Sequence, residues 1–327
     1  MGKIKRLAVL TSGGDAPGMN AAIRGVTRTA IYNGIEVSGV RHGYHGMIYN
    51  HFVSLKAHSV SDILDRGGTI LKTARSKEFM EAEGRKTAYR NLKEAGIDAV
   101  VVIGGDGSLT GARVFCDEFS DIPFVGIPGT IDNDIYGTDY TIGYDTAMNT
   151  VVDAVDKIRD TAGSHNRLFF IEVMGRDAGF IALESGIASG AEAVLIPEVH
   201  GQVENLKDHL EKGFKRKKSS NIIIVAEGDE SGGAFAIADR VKDSFVDYDI
   251  RVSVLGHIQR GGKPSALDRV NGSKLGFAAV DALLDDQKSV MVGFHNGEID
   301  HVPFRKVIKL KKNVDPSQMQ MVEILSV

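Results

Sequence analysis

Short apolar runs alternate along the chain with longer amphipathic segments. The runs at residues 7–11, 98–103 and 122–127 are continuous and rich in branched side chains, which is typical of strands buried on both faces. The segments at residues 20–33 and 147–159 repeat their apolar positions with the spacing of a helix. This alternation predicts parallel sheets with helices on both faces. In such sheets, ligands bind at the carboxyl ends of the strands.

The alternation begins again after residue 143. Strands are predicted at residues 168–174, 221–226 and 251–255, and helices at residues 178–189, 203–217 and 265–284. A chain of 327 residues also exceeds the roughly 250–300 residues at which a single hydrophobic core stops growing. Both observations predict two domains, with a boundary near Gly143.

Composition and charge narrow the class of protein. Hydrophobic residues make up 43% of the chain and charged residues 25%, which is ordinary for a soluble globular protein. The formal net charge of −4 argues against a nucleic-acid partner, because sequence-independent binding needs a basic face. No segment approaches the roughly 20 apolar residues of a membrane span. The single cysteine, Cys116, excludes an intrachain disulfide and fits a reducing compartment, so we expect a cytoplasmic protein with no membrane partner.

The most unusual motif is PGTIDND at residues 128–134, which follows a predicted buried strand. Asp132 and Asp134 are two residues apart, so in an extended segment both carboxylates would point the same way. Two carboxylates in one space need a metal ion, an arginine or a proton taken from a substrate. The alternative is a plain turn, because Gly, Thr, Asp and Asn are all favoured in turns. The motif by itself leaves both interpretations open.

Two glycine turns, SGGD at residues 12–15 and GGDGS at residues 104–108, each follow a predicted strand and precede a helix. Glycine lets the backbone approach a ligand closely, and a helix N-terminus favours phosphate. Their spacing matches neither the P-loop nor the dinucleotide fingerprint. Because each turn carries an aspartate, we predict phosphate binding here, although glycine in such connections also serves geometry. Asp106 is a candidate Mg²⁺ ligand, or else an acidic residue stabilised by the helix dipole.

Several arginines lie in or near the predicted strand ends. They are Arg75, Arg167, Arg176, Arg251 and Arg260, and His257 is close to the last two. Arginine binds phosphate oxygens through two parallel hydrogen bonds, so five at one end of the sheets would form a second phosphate site. Any single one could instead be a surface ion pair. Phosphoryl transfer needs a metal ion, arginines and a base near the attacking hydroxyl, and Asp132 is the base that we predict.

Five long motifs together resemble the bacterial 6-phosphofructokinases. They are LTSGGDAPGMNAAIRG, VVIGGDGS, PGTIDND, VMGRDAG and VLGHIQRGG, at residues 10–25, 101–108, 128–134, 173–179 and 254–262. They occur in the order found in that family and cover the chain from about residue 7 to about residue 270.

The resemblance implies an α/β fold with two similar three-layer αβα domains, mainly parallel sheets and an active site in the cleft between them. The ATP-binding domain would comprise residues 1–143 and about 259–309. The fructose-6-phosphate-binding domain would comprise residues 144–258 and about 310–327. The implied reaction transfers the γ-phosphate of ATP to the 1-hydroxyl of fructose 6-phosphate, the committed step of glycolysis, in a homotetramer that uses Mg²⁺.

The resemblance also implies roles for individual residues. Asp132 would be the general base, and Asp106 would serve Mg²⁺. Catalysis would further involve Thr130, Asp134, Arg176 and Arg75. The nucleotide side would comprise Gly14, Arg75, Asp106, Gly107, Ser108 and Gly111. The sugar side would comprise Thr130, Asp132, Met174, Gly175, Arg176, Glu227, His257 and Arg260, with Arg167 and Arg251 lent by a neighbouring subunit.

The phosphate donor and the effectors depend on further positions. Pyrophosphate-using relatives typically carry Asp at the position of Gly107 and Lys at that of Gly129, so the two glycines favour ATP. A pyrophosphate-dependent enzyme and a non-catalytic nucleotide sensor are the alternatives. Residues matching those that bind ADP or phosphoenolpyruvate are Arg24, Arg28, Arg159, Arg216 and Lys218. His200 stands where the family commonly has a Glu that serves the effector's metal, and Ser219 and Ser220 stand where basic residues are common, which leaves effector binding open.

Overall fold

A computed structural model describes residues 4–162, 167–204, 206, 210, 221–245 and 248–326. Most of the predicted helix at residues 203–217 lies outside this part of the chain. The chain divides into two compact units. Unit 1 comprises Met1–Thr130, Asp134–Thr146 and Arg260–Lys312. Unit 2 comprises Ile131–Asn133, Ala147–Gln259 and Asn313–Val327.

Unit 1 contains a seven-stranded sheet. Its strands are β1 (Arg6–Ser12), β2 (Glu36–Val40), β3 (Phe52–Leu55), β4 (Ala99–Gly104), β5 (Phe124–Pro128), β10 (Val290–His295) and β11 (Glu298–Pro303), in the order β11-β10-β5-β4-β1-β2-β3. The five inner strands are parallel, whereas β3 and β11 pair antiparallel at the edges. Strands β4 and β5 are buried along their whole length, as their continuous apolar sequence predicts.

The helices of unit 1 cover this sheet. They are α1 (Met19–Tyr32), α2 (Gly43–Ile48), α3 (Ala82–Glu94), α4 (Asp106–Glu118), α8 (Ala266–Leu284) and α9 (Phe304–Val307). Helix α5 (Tyr144–Ala162) begins in unit 1 and continues in unit 2. Helices α1 and α8 pack closely because glycines face each other, and a Cβ on Gly276 would lie only 2.5 Å from the carbonyl oxygen of Ala22.

The glycine-rich segment GYHG at residues 43–46 begins helix α2, which the sequence analysis does not predict. A Cβ on Gly46 would collide with the carbonyl oxygen of Arg41, so glycine is needed there for close packing and does not break the helix. The antiparallel edge strands and the two short helices after residue 303 were also not predicted.

Unit 2 contains a parallel sheet in the order β7-β8-β6-β9. Its strands are β6 (Arg167–Val173), β7 (Ala193–Leu195), β8 (Asn221–Ala226) and β9 (Asp249–Val254), and its helices include α6 (Phe180–Ser189), α7 (Gly233–Val241) and α10 (Pro316–Leu325). Mainly parallel sheets flanked by helices in two units confirm the predicted α/β class. Among the described helices, none combines the length and the apolarity that a membrane span requires.

Candidate active site

Three predicted motifs leave the sheet of unit 1 at the same edge. Strands β1, β4 and β5 are neighbours, and Ser12 pairs with Gly104, which in turn pairs with Pro128. The backbone N–H of Gly129 donates to the carbonyl of Gly104 at 3.0 Å. The two glycine turns are therefore adjacent to the start of the loop at residues 128–134, which we call the base loop.

Helix α4 begins directly in the second glycine turn. Asp106 is its first residue and is exposed, and the position that a Cβ on Gly107 would take has no described atom within 4 Å. In contrast, a Cβ on Gly104 would lie 2.6 Å from the hydroxyl oxygen of Ser108. The open space at Gly107 means that packing does not require glycine there. The exposed helix N-terminus offers N–H groups and a partial positive charge to an anion.

Two further nucleotide-side predictions lie near this turn. A Cβ on Gly14 would lie 2.7 Å from Nη1 of Arg260, and this nitrogen donates to the carbonyl of Asp15 at 3.3 Å. Arg260 was predicted for the sugar side, but in unit 1 its guanidinium lies against the first glycine turn. A Cβ on Gly111 would lie 3.1 Å from the ring of Tyr44. Arg75 is exposed.

An aromatic pair that the sequence did not reveal lies under helix α4. The rings of Tyr44 and Phe79 stack with centroids 4.0 Å apart, and the Tyr44 hydroxyl donates to the carbonyl of Ser108 at 2.5 Å. Burial raises the pKa of Tyr44 well above its usual value of 10.0, so its hydroxyl remains a donor. This bond ties the short helix α2 to the second glycine turn.

The base loop is bent and not extended. Asn133 has φ 53°, so the prediction that Asp132 and Asp134 share one side of an extended segment rested on the wrong backbone geometry. Asp132 is 1% exposed, whereas Asp134 is half-buried. Within unit 2, Oδ2 of Asp132 lies 3.4 Å from Nε of Arg176. Of the three predicted kinds of partner, the structure therefore gives Asp132 an arginine.

Hydrogen bonds within unit 1 hold the start of the base loop. The Thr141 hydroxyl donates to the carbonyl of Thr130 at 2.6 Å, and the N–H of Ile142 donates to the carbonyl of Pro128 at 2.9 Å. The chain then enters helix α5, where the N–H groups of Gly143 and Thr146 both donate to Asp268 at 2.8 Å.

Asp268 connects this segment to helix α8. Its side chain is 1% exposed and also accepts the Thr146 hydroxyl, which in turn accepts the N–H of Ser265. Burial raises the pKa of Asp268, while the hydrogen bonds from Thr146 and Gly143 act against this shift. Asp268 therefore caps the N-terminus of a helix that is distant in sequence, and sequence reasoning did not identify it.

In unit 2, the sugar-side predictions share the carboxyl edge of the sheet. Val173 pairs with Ala226, and Glu172 pairs with Val254, so strands β6, β8 and β9 end together. Met174, Gly175 and Arg176, here called the MGR loop, follow β6. Glu227 follows β8 and His257 follows β9, and both are exposed.

Glu227 orients the MGR loop. Its Oε1 accepts the N–H of Gly175 at 3.3 Å and the N–H of Arg176 at 2.9 Å. Arg176 has φ 53°, a left-handed conformation that is unfavourable for arginine and must be held by its surroundings. The loop therefore presents the Arg176 guanidinium, which is 60% exposed, next to Asp132.

Arg167 and Arg251 do not lie at this edge. Arg167 is the first residue of β6 and Arg251 lies inside β9, so the prediction of five arginines at the same end of the sheets is wrong. Both arginines bind Asp249 instead, Arg167 through Nε at 3.3 Å and Arg251 through Nη2 at 2.9 Å. The hydrogen bond from Arg251 lowers the pKa of Asp249 most, and the hydrogen bond from Arg167 lowers it further. At 3.3 Å per residue, β6 separates Arg167 from the MGR loop by about 20 Å.

The predicted effector residues fall into three groups. Arg24 and Arg28 lie on helix α1. The pKa of Arg24 is lowered mainly by partial burial and, to a smaller extent, by the positive charge of Arg28. Arg159 donates to the carbonyls of Ser189 and Gly190, at the C-terminal end of helix α6. Arg216 and Lys218 lie outside the described residues.

The donor set of the described residues constrains any metal site. They contain no group of three or more His, Cys, Asp or Glu side chains arranged to hold a metal ion. Mg²⁺ commonly binds one or two carboxylates together with substrate phosphates and water. The exposed carboxylate of Asp106 at the helix N-terminus fits that kind of site and does not fit an all-protein cage.

Comparisons with known proteins agree with the motifs. The phosphofructokinase family matches residues 6–283. The "ATP-dependent 6-phosphofructokinase 2" of Bacteroides thetaiotaomicron is 58% identical over 327 residues, which is 100% of both chains. The "ATP-dependent 6-phosphofructokinase 1" of Thermus thermophilus is 51% identical over 99% of this chain and 100% of its own.

Solved structures give the same result. The phosphofructokinase from Saccharomyces cerevisiae aligns with a TM-score of 0.87 and 39% identity, over 93% of this chain and 45% of the yeast chain. The pyrophosphate-dependent phosphofructokinase from Marinobacter aquaeolei aligns with a TM-score of 0.84 over 98% of this chain and 91% of its own. Its 22% identity shows a shared fold alone. The resemblance seen in the motifs is confirmed, and the chain belongs to the phosphofructokinase family.

Proposed function

We propose that this protein transfers the γ-phosphate of ATP to the 1-hydroxyl of fructose 6-phosphate, giving fructose 1,6-bisphosphate and ADP in glycolysis. The observation that carries the proposal is the buried carboxylate of Asp132, 3.4 Å from the Arg176 guanidinium, in a chain of the phosphofructokinase family. The curated relatives at 58% and 51% identity are both named as ATP-dependent enzymes.

In this proposal Asp132 is the general base. Its carboxylate accepts the proton of the 1-hydroxyl while the hydroxyl oxygen forms a bond to the γ-phosphorus. The bond between the γ-phosphorus and the β–γ bridging oxygen breaks, and ADP leaves with that electron pair. Arg176 lies beside the base and stabilises the negative charge of the transferring group. Thr130 and Asp134 flank the reacting segment on either side.

The nucleotide would bind at the carboxyl edge of the sheet in unit 1. The proposed contacts are Gly14, Arg75, Asp106, Gly107, Ser108 and Gly111, within the domain formed by residues 1–143 and about 259–309. The N-terminus of helix α4 supplies N–H donors for phosphate oxygens. Asp106 would hold Mg²⁺ together with those oxygens. When bound, the ion would neutralise part of the negative charge of the phosphates.

Two glycines support ATP over pyrophosphate as the donor. The space around Gly107 is open, so this glycine leaves room for a ligand and is not required by packing. A Cβ on Gly129 would lie 3.0 Å from Cγ2 of Ile103 and 3.1 Å from Cε of Met19, so a larger residue there would force these side chains to move. Pyrophosphate is the alternative donor, and separate assays distinguish the two.

The sugar would bind on the domain formed by residues 144–258 and about 310–327. The proposed sugar contacts are Glu227, His257, Arg260 and the MGR loop. Arg167 lies about 20 Å along β6 from the MGR loop, and Arg251 lies inside β9, away from the end of that strand. We therefore assign them to the 6-phosphate of a neighbouring subunit, which makes a homotetramer part of the catalytic unit.

Regulation and location are further parts of the proposal. ADP or phosphoenolpyruvate would bind near Arg24, Arg28 and Arg159, together with Arg216 and Lys218. Arg159 already serves the end of helix α6, so an effector that takes this side chain would loosen that helix end. The single cysteine favours a reducing compartment, which supports the cytoplasm.

The experiment that tests this function measures ATP consumption by the purified protein with Mg²⁺ and fructose 6-phosphate. We expect rapid turnover with the sugar phosphate and only background turnover when fructose replaces it. Mass spectrometry should identify the product as a bisphosphate. ATP binding without sugar-dependent turnover would favour the non-catalytic nucleotide sensor and would refute the proposal.

A further inference from the structure

Gln259 is a fully buried polar side chain that directly follows two exposed residues of the same turn. It lies in the short 3-10 turn Gly256–Arg260, which follows strand β9 in unit 2. Its exposure is 0%, whereas His257 and Ile258 on the same turn are exposed. A buried amide is costly unless both its oxygen and its nitrogen find partners. Its partners therefore indicate what this side chain does.

The Gln259 amide connects two loops that follow neighbouring strands. Its Oε1 accepts the backbone N–H of Met174 at 3.2 Å, and its Nε2 donates to the carbonyl of Gly256 at 3.0 Å. Met174 is the first residue of the MGR loop, and Gly256 is the first residue of the turn that carries His257. A single side chain thus links the backbone of both loops.

With Gln259, every backbone N–H of the MGR loop is bound by a side chain from a neighbouring strand end. Gln259 accepts the N–H of Met174, and Glu227 accepts the N–H groups of Gly175 and Arg176. The loop needs this support because Arg176 has φ 53°. Its guanidinium reaches Asp132, so a shift of the loop backbone moves a group beside the proposed base.

We infer that Gln259 is a positioning residue for the sugar phosphate, which fixes the MGR loop relative to the turn that carries His257. Its side chain is fully buried and need not touch the substrate. It acts by setting the spacing between two groups that bind the same sugar. The inference rests on the proposed function, since it assigns the MGR loop and His257 to fructose 6-phosphate.

The alternative is that Gln259 only forms hydrogen bonds with buried backbone groups and so contributes to stability, with no role in sugar binding. The chain offers a matched control in Gln202, which lies in the same unit after strand β7. Its Oε1 accepts the N–H of Ile196 at 2.9 Å and its Nε2 donates to the carbonyl of Val194 at 3.0 Å. Gln202 therefore makes the same two kinds of bond, but none of its partners is a proposed substrate contact.

The test compares Gln259→Met with Gln202→Met in the full-length enzyme, measuring both Michaelis constants and the thermal midpoint. Methionine keeps the length of glutamine but removes both hydrogen bonds. We expect Gln259→Met to lower kcat/KM for fructose 6-phosphate by about 10- to 100-fold, because a small displacement of a binding group has an effect of this size. The KM for ATP should be unchanged, and Gln202→Met should leave both constants at wild-type values.

Several results would overturn the inference. One is a Gln259→Met enzyme with wild-type kinetics for the sugar. Another is an equal loss for ATP and sugar, which would mean a general loss of folded enzyme. A sugar-specific loss in Gln202→Met would show that the effect is not particular to the MGR loop. An inactive wild type refutes the proposed function itself, so the two failures are distinguishable.

Gln259→Glu provides a second readout, which also serves if the methionine variant does not fold. One carboxylate oxygen still accepts the N–H of Met174, but the other faces the carbonyl of Gly256 and repels it. Burial favours the protonated carboxyl group, whose O–H restores the lost donor. The sugar-specific defect should therefore shrink as the pH is lowered, relative to wild type. A defect that does not change with pH would contradict the role of the Gly256 bond.

Discussion

Replacing Asp268 by asparagine should loosen the base loop without touching either proposed substrate. The substitution keeps the size of the side chain but turns one oxygen into an NH₂ group. Both oxygens accept backbone N–H groups, one from Gly143 and the other from Thr146, each at 2.8 Å. Whichever way the new amide turns, its NH₂ group therefore faces a buried donor. The wild-type arrangement cannot be reproduced.

The size of the effect follows from these contacts. A buried donor left without its acceptor costs about 1–3 kcal/mol, and hydrogen bonds that lose a charged partner weaken by about 1 kcal/mol each. Removing a buried charge recovers part of this, since burial raises the pKa of Asp268. We expect a net destabilisation of about 2–4 kcal/mol. For a domain of this size, that lowers the thermal midpoint by about 10 °C.

The assay combines calorimetry with steady-state kinetics at a temperature at which both enzymes are folded. Asp315→Asn is the matched control. Asp315 caps helix α10 through the N–H of Ser317 at 2.9 Å, and asparagine is an equally good cap, so its midpoint should not change. Asp268→Asn should also lower kcat by about 10-fold, because Thr141 and Ile142 hold the base loop from the segment that Asp268 anchors.

Two results would refute this reasoning. Equal thermal midpoints for Asp268→Asn and Asp315→Asn would mean that asparagine replaces the buried carboxylate of Asp268 without loss of stability. A lowered midpoint with an unchanged kcat would mean that the base loop keeps its position without Asp268.

Three further predictions concern the proposed chemistry. Asp132→Asn should lower kcat by about 10²- to 10⁴-fold with little change in either KM, because only proton transfer is lost, and an unchanged kcat would remove Asp132 from the base role. Arg167→Ala or Arg251→Ala should raise the KM for fructose 6-phosphate by about 10- to 100-fold and spare that for ATP, whereas equal losses would indicate defective assembly. Gly107→Asp should fold normally, because the space is open, yet lower kcat/KM for ATP by about 100-fold through charge repulsion; normal use of ATP would contradict the nucleotide site.

Much of the fold follows from the sequence because the signals are local. Strand β4 is a continuous apolar run followed at once by GGDGS, and the structure has helix α4 beginning at Asp106, inside that motif. Helix α2 was missed because glycines usually break helices, whereas Gly46 is needed for close contact with Arg41. Local patterns do not show when a glycine serves tertiary packing.

The supporting residues of the site could not be predicted for a similar reason. Asp268 accepts the N–H of Gly143, which lies more than a hundred residues earlier in the chain. Gln259 accepts the N–H of Met174, which follows the neighbouring strand β6. From the sequence, Asp268 is only a residue of the predicted helix at residues 265–284, and Gln259 is only the residue before Arg260 in its motif. The geometry of the base loop was also hidden, because the left-handed conformation of Asn133 depends on what holds the loop. The position of Arg167 far from the MGR loop, in contrast, already follows from the predicted strand at residues 168–174, because the two lie at its opposite ends.

The most direct test of the account is phosphorylation of fructose 6-phosphate by the purified enzyme with Mg²⁺, with ATP and pyrophosphate offered in separate assays. We expect fructose 1,6-bisphosphate to form with ATP and not with pyrophosphate, because the space at Gly107 is open and Ile103 and Met19 crowd any larger side chain at Gly129. Activity with pyrophosphate in place of ATP would contradict the donor assignment. No product with either donor would contradict the proposed function itself.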